Sequence, residues 1–178
     1  MRHTLVAKVM DQPGVLNRVA SLFRRRAFNI ESLTVGHTET EDMSRMTIVV
    51  DTAKVPATIV AANLRKLIPV AEVTDVTHVP TVDRDLALIR VRCAPAERAE
   101  LASLVEIFRA RIVDVSTDSV IVEVTGDEQK VNGLVELLRP RGIVEMVRTG
   151  KVAMVRGSTF EAKPAAAHGH AAAAAATH

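Results

Sequence analysis

The sequence predicts an α+β protein made of two consecutive units, each with the element order β-α-β-β-α-β. Three observations carry this. Short segments rich in β-formers alternate apolar and polar residues. The segments between them repeat apolar residues at helical spacing. The whole order then occurs a second time within residues 1–160.

In the first unit, Leu5–Val9 alternates as a strand. Leu16, Val19 and Phe23 follow at helical spacing, with Asn17, Arg18, Arg24 and Arg25 on the opposite side. Asn29–Val35 and Met46–Val50 read as two strands. Val60, Leu64 and Leu67 mark a second helix, opened near Pro56 and closed before Pro69; Val70–Val79 completes the unit as a strand. In the second unit Leu86–Arg92 is a strand, and Leu101, Leu104, Val105 and Phe108 lie at i, i+3, i+4 and i+7. Ile112–Val115 and Val120–Thr125 are strands separated by the turn residues Ser116 to Ser119. Val131, Leu134, Val135 and Leu138 restore the helical period, and Ile143–Arg148 closes the unit after Gly142, a helix stop. This order is the ferredoxin-like split βαβ. Two right-handed crossovers put both helices on one face of a four-stranded antiparallel sheet. The expected domains are residues 1–80 and 81–160, followed by a disordered tail, 161–178, with ten Ala, three His, Pro164 and Gly169. Units this small leave a sheet face and strand edges uncovered, so self-association is expected, between the halves or between two chains, with a homodimer as the minimum.

Composition narrows the function. The 178 residues are 48% hydrophobic and 25% charged, enough for cores. Only four Phe and no Tyr or Trp are present, which removes the stacking platforms of an RNA-reading sheet. One cysteine, Cys93, excludes an intramolecular disulfide framework and a multi-cysteine zinc site, and it reads as a buried or half-buried small hydrophobe. The net charge of +2 is evenly spread, so nothing points to nucleic acid. Arg24–Arg26 falls at a helix C-terminus, where cations complement the dipole. No apolar run approaches the ~20 residues that span a bilayer, and no signal peptide precedes the first strand, so a cytoplasmic protein is expected. No Walker loop, G-x-G-x-x-G or nucleophile motif is present. The carboxylates Asp83/Asp85 and Glu39/Glu41/Asp42 read as solvated loops, so no catalytic residues and no metal site are assigned.

One segment offers more than scaffold: Asp11-Gln12-Pro13-Gly14-Val15-Leu16, between the first strand and first helix. Pro13 suits a first helical turn, and Gly14 lets a ligand approach the backbone. Free N–H groups at a helix start attract a carboxylate, while Asp11 offers an acceptor for an ammonium group. Together they match an α-amino acid, with Val15, Leu16, Ile30 and Val35 as apolar neighbours. The alternative is that Asp11 caps the helix and Pro-Gly simply turns the chain.

These residues, with Phe28-Asn29-Ile30-Glu31-Ser32-Leu33-Thr34-Val35 and Ser44-Arg45-Met46-Thr47-Ile48, closely resemble the ACT domain of acetolactate synthase small regulatory subunits. The similarity continues through Lys66-Leu67-Ile68, Asp83–Val91, Ile107-Phe108-Arg109, Asp114-Val115, Gly150 and Arg156-Gly157, everything but the tail. The resemblance implies a chain without catalytic residues or cofactors of its own. It would dock on and activate a catalytic large subunit that carries thiamine diphosphate, Mg and FAD. It also implies that valine binds between paired ACT domains and suppresses activation, at Asp11, Gly14, Val15, Leu16, Asn29 and Ile30, with Asn29 reaching across the dimer. Several members have Asn where this chain has Asp11; the added charge favours the ammonium and opposes the carboxylate. The second unit has Ala94-Pro95-Ala96-Glu97 at the equivalent loop, without Pro-Gly, and is expected to lack such a site. The competing readings are a free-standing ACT-domain amino-acid sensor and an acylphosphatase-like enzyme. The enzyme would need an arginine cradle with a positioned Asn, which Arg24–Arg26 and Asn29 do not reproduce.

Overall fold

Alternation in the first strand places Leu5, Ala7 and Val9 on one face of a sheet, where they are almost wholly buried. They begin the first of two cores in a computed structural model that describes residues 1–51 and 55–157. The first unit consists of β1 (Arg2–Met10), α1 (Val15–Arg25), β2 (Asn29–His37), β3 (Met43–Asp51), α2 (Ala57–Leu64) and β4 (Val70–Asp75). The second consists of β5 (Thr81–Arg92), a 3-10 turn (Pro95–Glu97), α3 (Arg98–Ile107), β6 (Arg111–Val115), β7 (Ser119–Gly126), α4 (Glu128–Leu138) and β8 (Ile143–Arg148). A ninth strand, β9 (Val152–Val155), follows.

Each unit forms an antiparallel sheet of the predicted topology. The strand orders are β2-β3-β1-β4 and β6-β7-β5-β8. In the first core, Val15, Val19, Leu22 and Phe23 of α1 and Val60, Ala61 and Leu64 of α2 meet Met46, Ile48 and Val50 of β3. Phe23 and Phe28 pack edge to face with centroids 5.7 Å apart. In the second core, Leu101 and Val105 of α3 and Val131, Leu134 and Leu138 of α4 cover Ala87, Ile89, Val91, Val120, Val122 and Val124. Cys93 lies in this core, 1% exposed, as a small hydrophobe. A fully buried Leu or Phe contributes about 1.5–3 kcal/mol relative to exposure, so these stripes are what hold the helices to the sheets.

Several details depart from the sequence expectations. The strand read as Val70–Val79 leaves the sheet at Asp75, because the Asp75 carboxylate accepts from the Thr77 amide at 3.0 Å and turns the chain. Strand β5 starts at Thr81, five residues before Leu86, because its first residues pair with β9: Thr81 with Val155 and Arg84 with Val152. Asp83 and Asp85 therefore lie in a strand, not in a solvated loop. Asp85 is only 5% exposed and its carboxylate is held by Arg148 Nη2 at 2.5 Å, while Asp83 is met by Lys151 Nζ at 3.1 Å. The tail expectation, 161–178, lies outside the described residues.

The β5–β9 ribbon covers part of the first sheet's helix-free face. Ala153 and Val155 pack on Val6 and Val76, and Arg45 Nη2 donates to the Ala153 carbonyl at 2.7 Å. The two halves of one chain thus pack against each other along this face.

Candidate functional site

The Gln12-Pro13-Gly14-Val15 segment is a type II turn. Gly14 has φ 84° and ψ −3°, Pro13 occupies the preceding corner, and the Val15 amide donates to the Gln12 carbonyl at 3.3 Å. A φ of that sign at the third turn position is why glycine stands here. Pro13 precedes the helix instead of opening it; Gly14 is the N-cap and α1 starts at Val15. The first helix-closing bond runs from the Arg18 amide to the Gly14 carbonyl at 3.0 Å. Among the described residues, the amides of Gly14, Leu16 and Asn17 meet no acceptor. A carbon built at Gly14 Cα would meet no heavy atom within 4 Å beyond its chain neighbours, and Gly14, Leu16 and Asn17 are all exposed.

Asp11 does not cap α1, since no side chain caps that helix. Its amide donates to the Asp42 carbonyl at 2.7 Å, and its carboxylate meets His37 Nδ1 at 3.0 Å. The capping alternative for Asp11 is thereby removed. His37 escaped sequence reasoning, because its proximity to Asp11 depends on the register that sets the end of β2 beside the start of β3, His37 opposite Ser44. Around the turn, Val15 is buried and belongs to the core. Leu16 is 48% exposed and Val35 42% exposed, large apolar side chains left in solvent at the end of the sheet where the turn lies.

Asn29 and Ile30 lie elsewhere. Asn29 pairs with Asp51 and Met10 with Met43, at opposite ends of β3. Eight residues of strand separate the two ends, about 26 Å at roughly 3.3 Å per residue. Within one chain, then, Asp11, Gly14, Val15 and Leu16 come together, and Asn29 and Ile30 do not join them. Asn29 is exposed, and Ile30 is half-buried against the first core. Strand β2 forms an edge of the first sheet.

The corresponding loop of the second unit is closed. Its Ala94 amide donates to Glu97 Oε2 at 3.0 Å, so a carboxylate of the chain already occupies that position. Among the described residues no group of three or more His, Cys, Asp or Glu side chains is placed to hold a metal, and no helix is long and apolar enough to cross a membrane.

Two consecutive ferredoxin-like units, the first with an open turn at the start of α1, make this an α+β protein of ACT-like fold. Comparison with known proteins makes this specific. Residues 5–72 match the family described as the AHAS small subunit-like ACT domain, and residues 84–157 match the small subunit of acetolactate synthase. A probable acetolactate synthase small subunit of Archaeoglobus fulgidus is 56% identical over 158 residues, 89% of this chain and 99% of its own length. The acetolactate synthase small subunit of Bacillus subtilis is 46% identical over 163 residues, 91% of this chain and 95% of its own. The crystal structure of the acetolactate synthase small subunit from Thermotoga maritima superposes with a TM-score of 0.81 at 40% identity, covering 88% of this chain and 98% of that one. The chain belongs to the acetolactate synthase small subunit family.

Proposed function

We propose that this chain is the regulatory subunit that activates a thiamine-diphosphate-dependent acetolactate synthase catalytic subunit and confers valine feedback inhibition on it, in the cytoplasm. Thiamine diphosphate, Mg and FAD belong to that catalytic partner; this chain supplies an effector switch. The observation that carries the reading is the Pro13–Gly14 turn, which leaves the Leu16 and Asn17 amides in the first turn of α1 without an acceptor, a few residues along the chain from Asp11. An α-amino acid carries its ammonium and its carboxylate on the same carbon. Its carboxylate is suited to the amides of Leu16 and Asn17. Its ammonium is suited to Asp11, with His37 as the existing partner of that carboxylate.

The remaining residues come from a second copy. A two-fold axis through the middle of the free β2 edge would pair two β2 strands antiparallel. If the register centres on Leu33, the Asn29 end of one strand comes beside His37 of the other. Such a homodimer brings Asn29 and Ile30 of one chain to Asp11, Gly14, Val15 and Leu16 of its neighbour. It also covers the exposed Val35 and Leu16. A branched aliphatic side chain matches this lining of Val, Leu and Ile.

The test is acetolactate formation by the matching catalytic subunit, with and without this chain, across an L-valine titration. Activation reversed by valine is the expected result. Activation indifferent to valine would remove the effector site and leave the activator; no activation would remove the reading.

A further inference from the structure

Strand β2 does two jobs in this chain. Its start carries Asn29 and Ile30, and its next residues bind the second domain. The Lys151 amide donates to Ser32 Oγ at 3.1 Å, and Thr34 Oγ1 donates to the Thr149 carbonyl at 3.3 Å. Gly150, between these two residues, has φ 89°. A Cβ there would lie 2.4 Å from Ser32 Oγ. A side chain at residue 150 would have to displace the Ser32 hydroxyl, and the left-handed φ there adds strain for any L-residue. A third connection arises at the irregularity between Ile30 and Ser32, where the pairing with β3 shifts register. The intervening residue, Glu31, is ion-paired to Arg2, and the same guanidinium reaches Glu128 in the first turn of α4 at 2.5 Å. These two carboxylates hold the Arg2 guanidinium well above its ordinary pKa, Glu31 contributing most.

The seam is not close-packed. A cavity of about 340 Å³ lies between the domains, lined among others by Arg2, Glu31, Asp85, Glu128, Arg148 and Lys151. Polar, loosely filled interfaces are those at which domains move, and a strand bulge is where a ladder changes locally. We infer that the seam formed by Glu31, Ser32 and Thr34 with Arg2, Glu128 and the Thr149–Lys151 loop transmits effector occupancy from the first sheet to the second domain. This rests on the effector reading given above. A ligand that fixes Asn29 and Ile30 fixes the adjoining bulge. Through Glu31 and Ser32 it then selects one setting of α4 and the β8–β9 loop.

Two variants test it. Gly150→Ala displaces the Ser32 hydroxyl that accepts from the Lys151 amide. Arg2→Gln removes the bridge at a side chain 55% exposed, so its folding is not in question. L-valine affinity is measured by calorimetry on the full-length chain alone, and inhibition on the reconstituted holoenzyme. The expected result is valine affinity within twofold of the parent and unchanged activation. The fraction of activity removed by saturating L-valine should fall at least twofold. Variants as fully inhibited as the parent would overturn the inference. Loss of valine binding would also overturn it, since the seam would then be part of the site. A parent chain that binds no valine would refute the effector reading and this inference together, whereas a parent that binds while its variants stay fully inhibited refutes the inference alone.

Discussion

The substitution Gly14→Asp probes the turn at its narrowest point. Two effects have to be separated, conformational strain and charge. A left-handed φ costs an L-residue about 1–2 kcal/mol, and less for Asp, which tolerates the region better than most. Nothing lies within 4 Å of the new Cβ, so no clash adds to this. A carboxylate beside the first turn of α1 also interacts favourably with the helix dipole, by about 0.3–1 kcal/mol. Stability should therefore change by no more than about 1 kcal/mol, and the chain should fold and activate. Binding should change far more. Two like charges 4 Å apart repel by about 4 kcal/mol at an effective dielectric of 20. Solvent screening reduces this, but even about 1.4 kcal/mol is a tenfold loss of affinity. The expected outcome is a valine Kd at least tenfold weaker with activation retained, read by calorimetry and by acetolactate formation. Gly14→Ala is the control, because it bears the strain without the charge and should weaken binding less than threefold. A Gly14→Asp chain with the parent's Kd would show that no carboxylate docks at this turn.

Two further predictions concern stability. Asp127 caps α4 by accepting from the Lys130 amide at 2.8 Å, and Asp127→Ala should cost about 1 kcal/mol in urea unfolding; an unchanged midpoint would show that α4 does not depend on its cap. Burial raises the pKa of Asp75, but the Thr77 hydroxyl and amide, with His3, outweigh it and leave the group below the ordinary value of 3.8. A depressed folded pKa stabilises the fold above the unfolded value, and that stability is lost as pH falls below 3.8 through the folded value. Asp75→Asn should be less stable at pH 7 and show a flatter loss of stability below pH 4; an acid profile parallel to the parent's would contradict this.

Much of the fold was legible because its signals are local. Leu101, Leu104, Val105 and Phe108 announce α3 by spacing alone, and the turn residues Ser116 to Ser119 announce the β6–β7 hairpin. Strand β9 was not legible. Its four residues carry too short a pattern, and they become a strand only by pairing with residues 81–84, some 70 positions away. The same long-range pairing lies behind the misreading of Asp83 and Asp85. Their spacing looked like a solvated loop until Arg148 and Lys151 were brought to them by the return of the chain. The candidate site divides in the same way. Pro13-Gly14 is legible as a turn, but the positive φ at Gly14 and the place of Pro13 ahead of the helix instead of in its first turn are not. The Asp11–His37 contact and the distance between Gly14 and Asn29 depend on the sheet register, which one strand does not disclose.

That distance constrains how any effector could act. The two groups of candidate residues sit at opposite ends of a sheet whose strands are paired along their whole length. No rearrangement short of unfolding the sheet closes about 26 Å between them. Either Asn29 has no part in ligand binding, or the binding unit contains two chains. In the second case valine binds the dimer and not the monomer, and mass action makes it a dimer-stabilising ligand. Its apparent affinity would then rise with protein concentration wherever the dimer is partly dissociated. Inhibition would become a property of the assembled pair, set by the geometry of two β2 strands and not by either sheet alone.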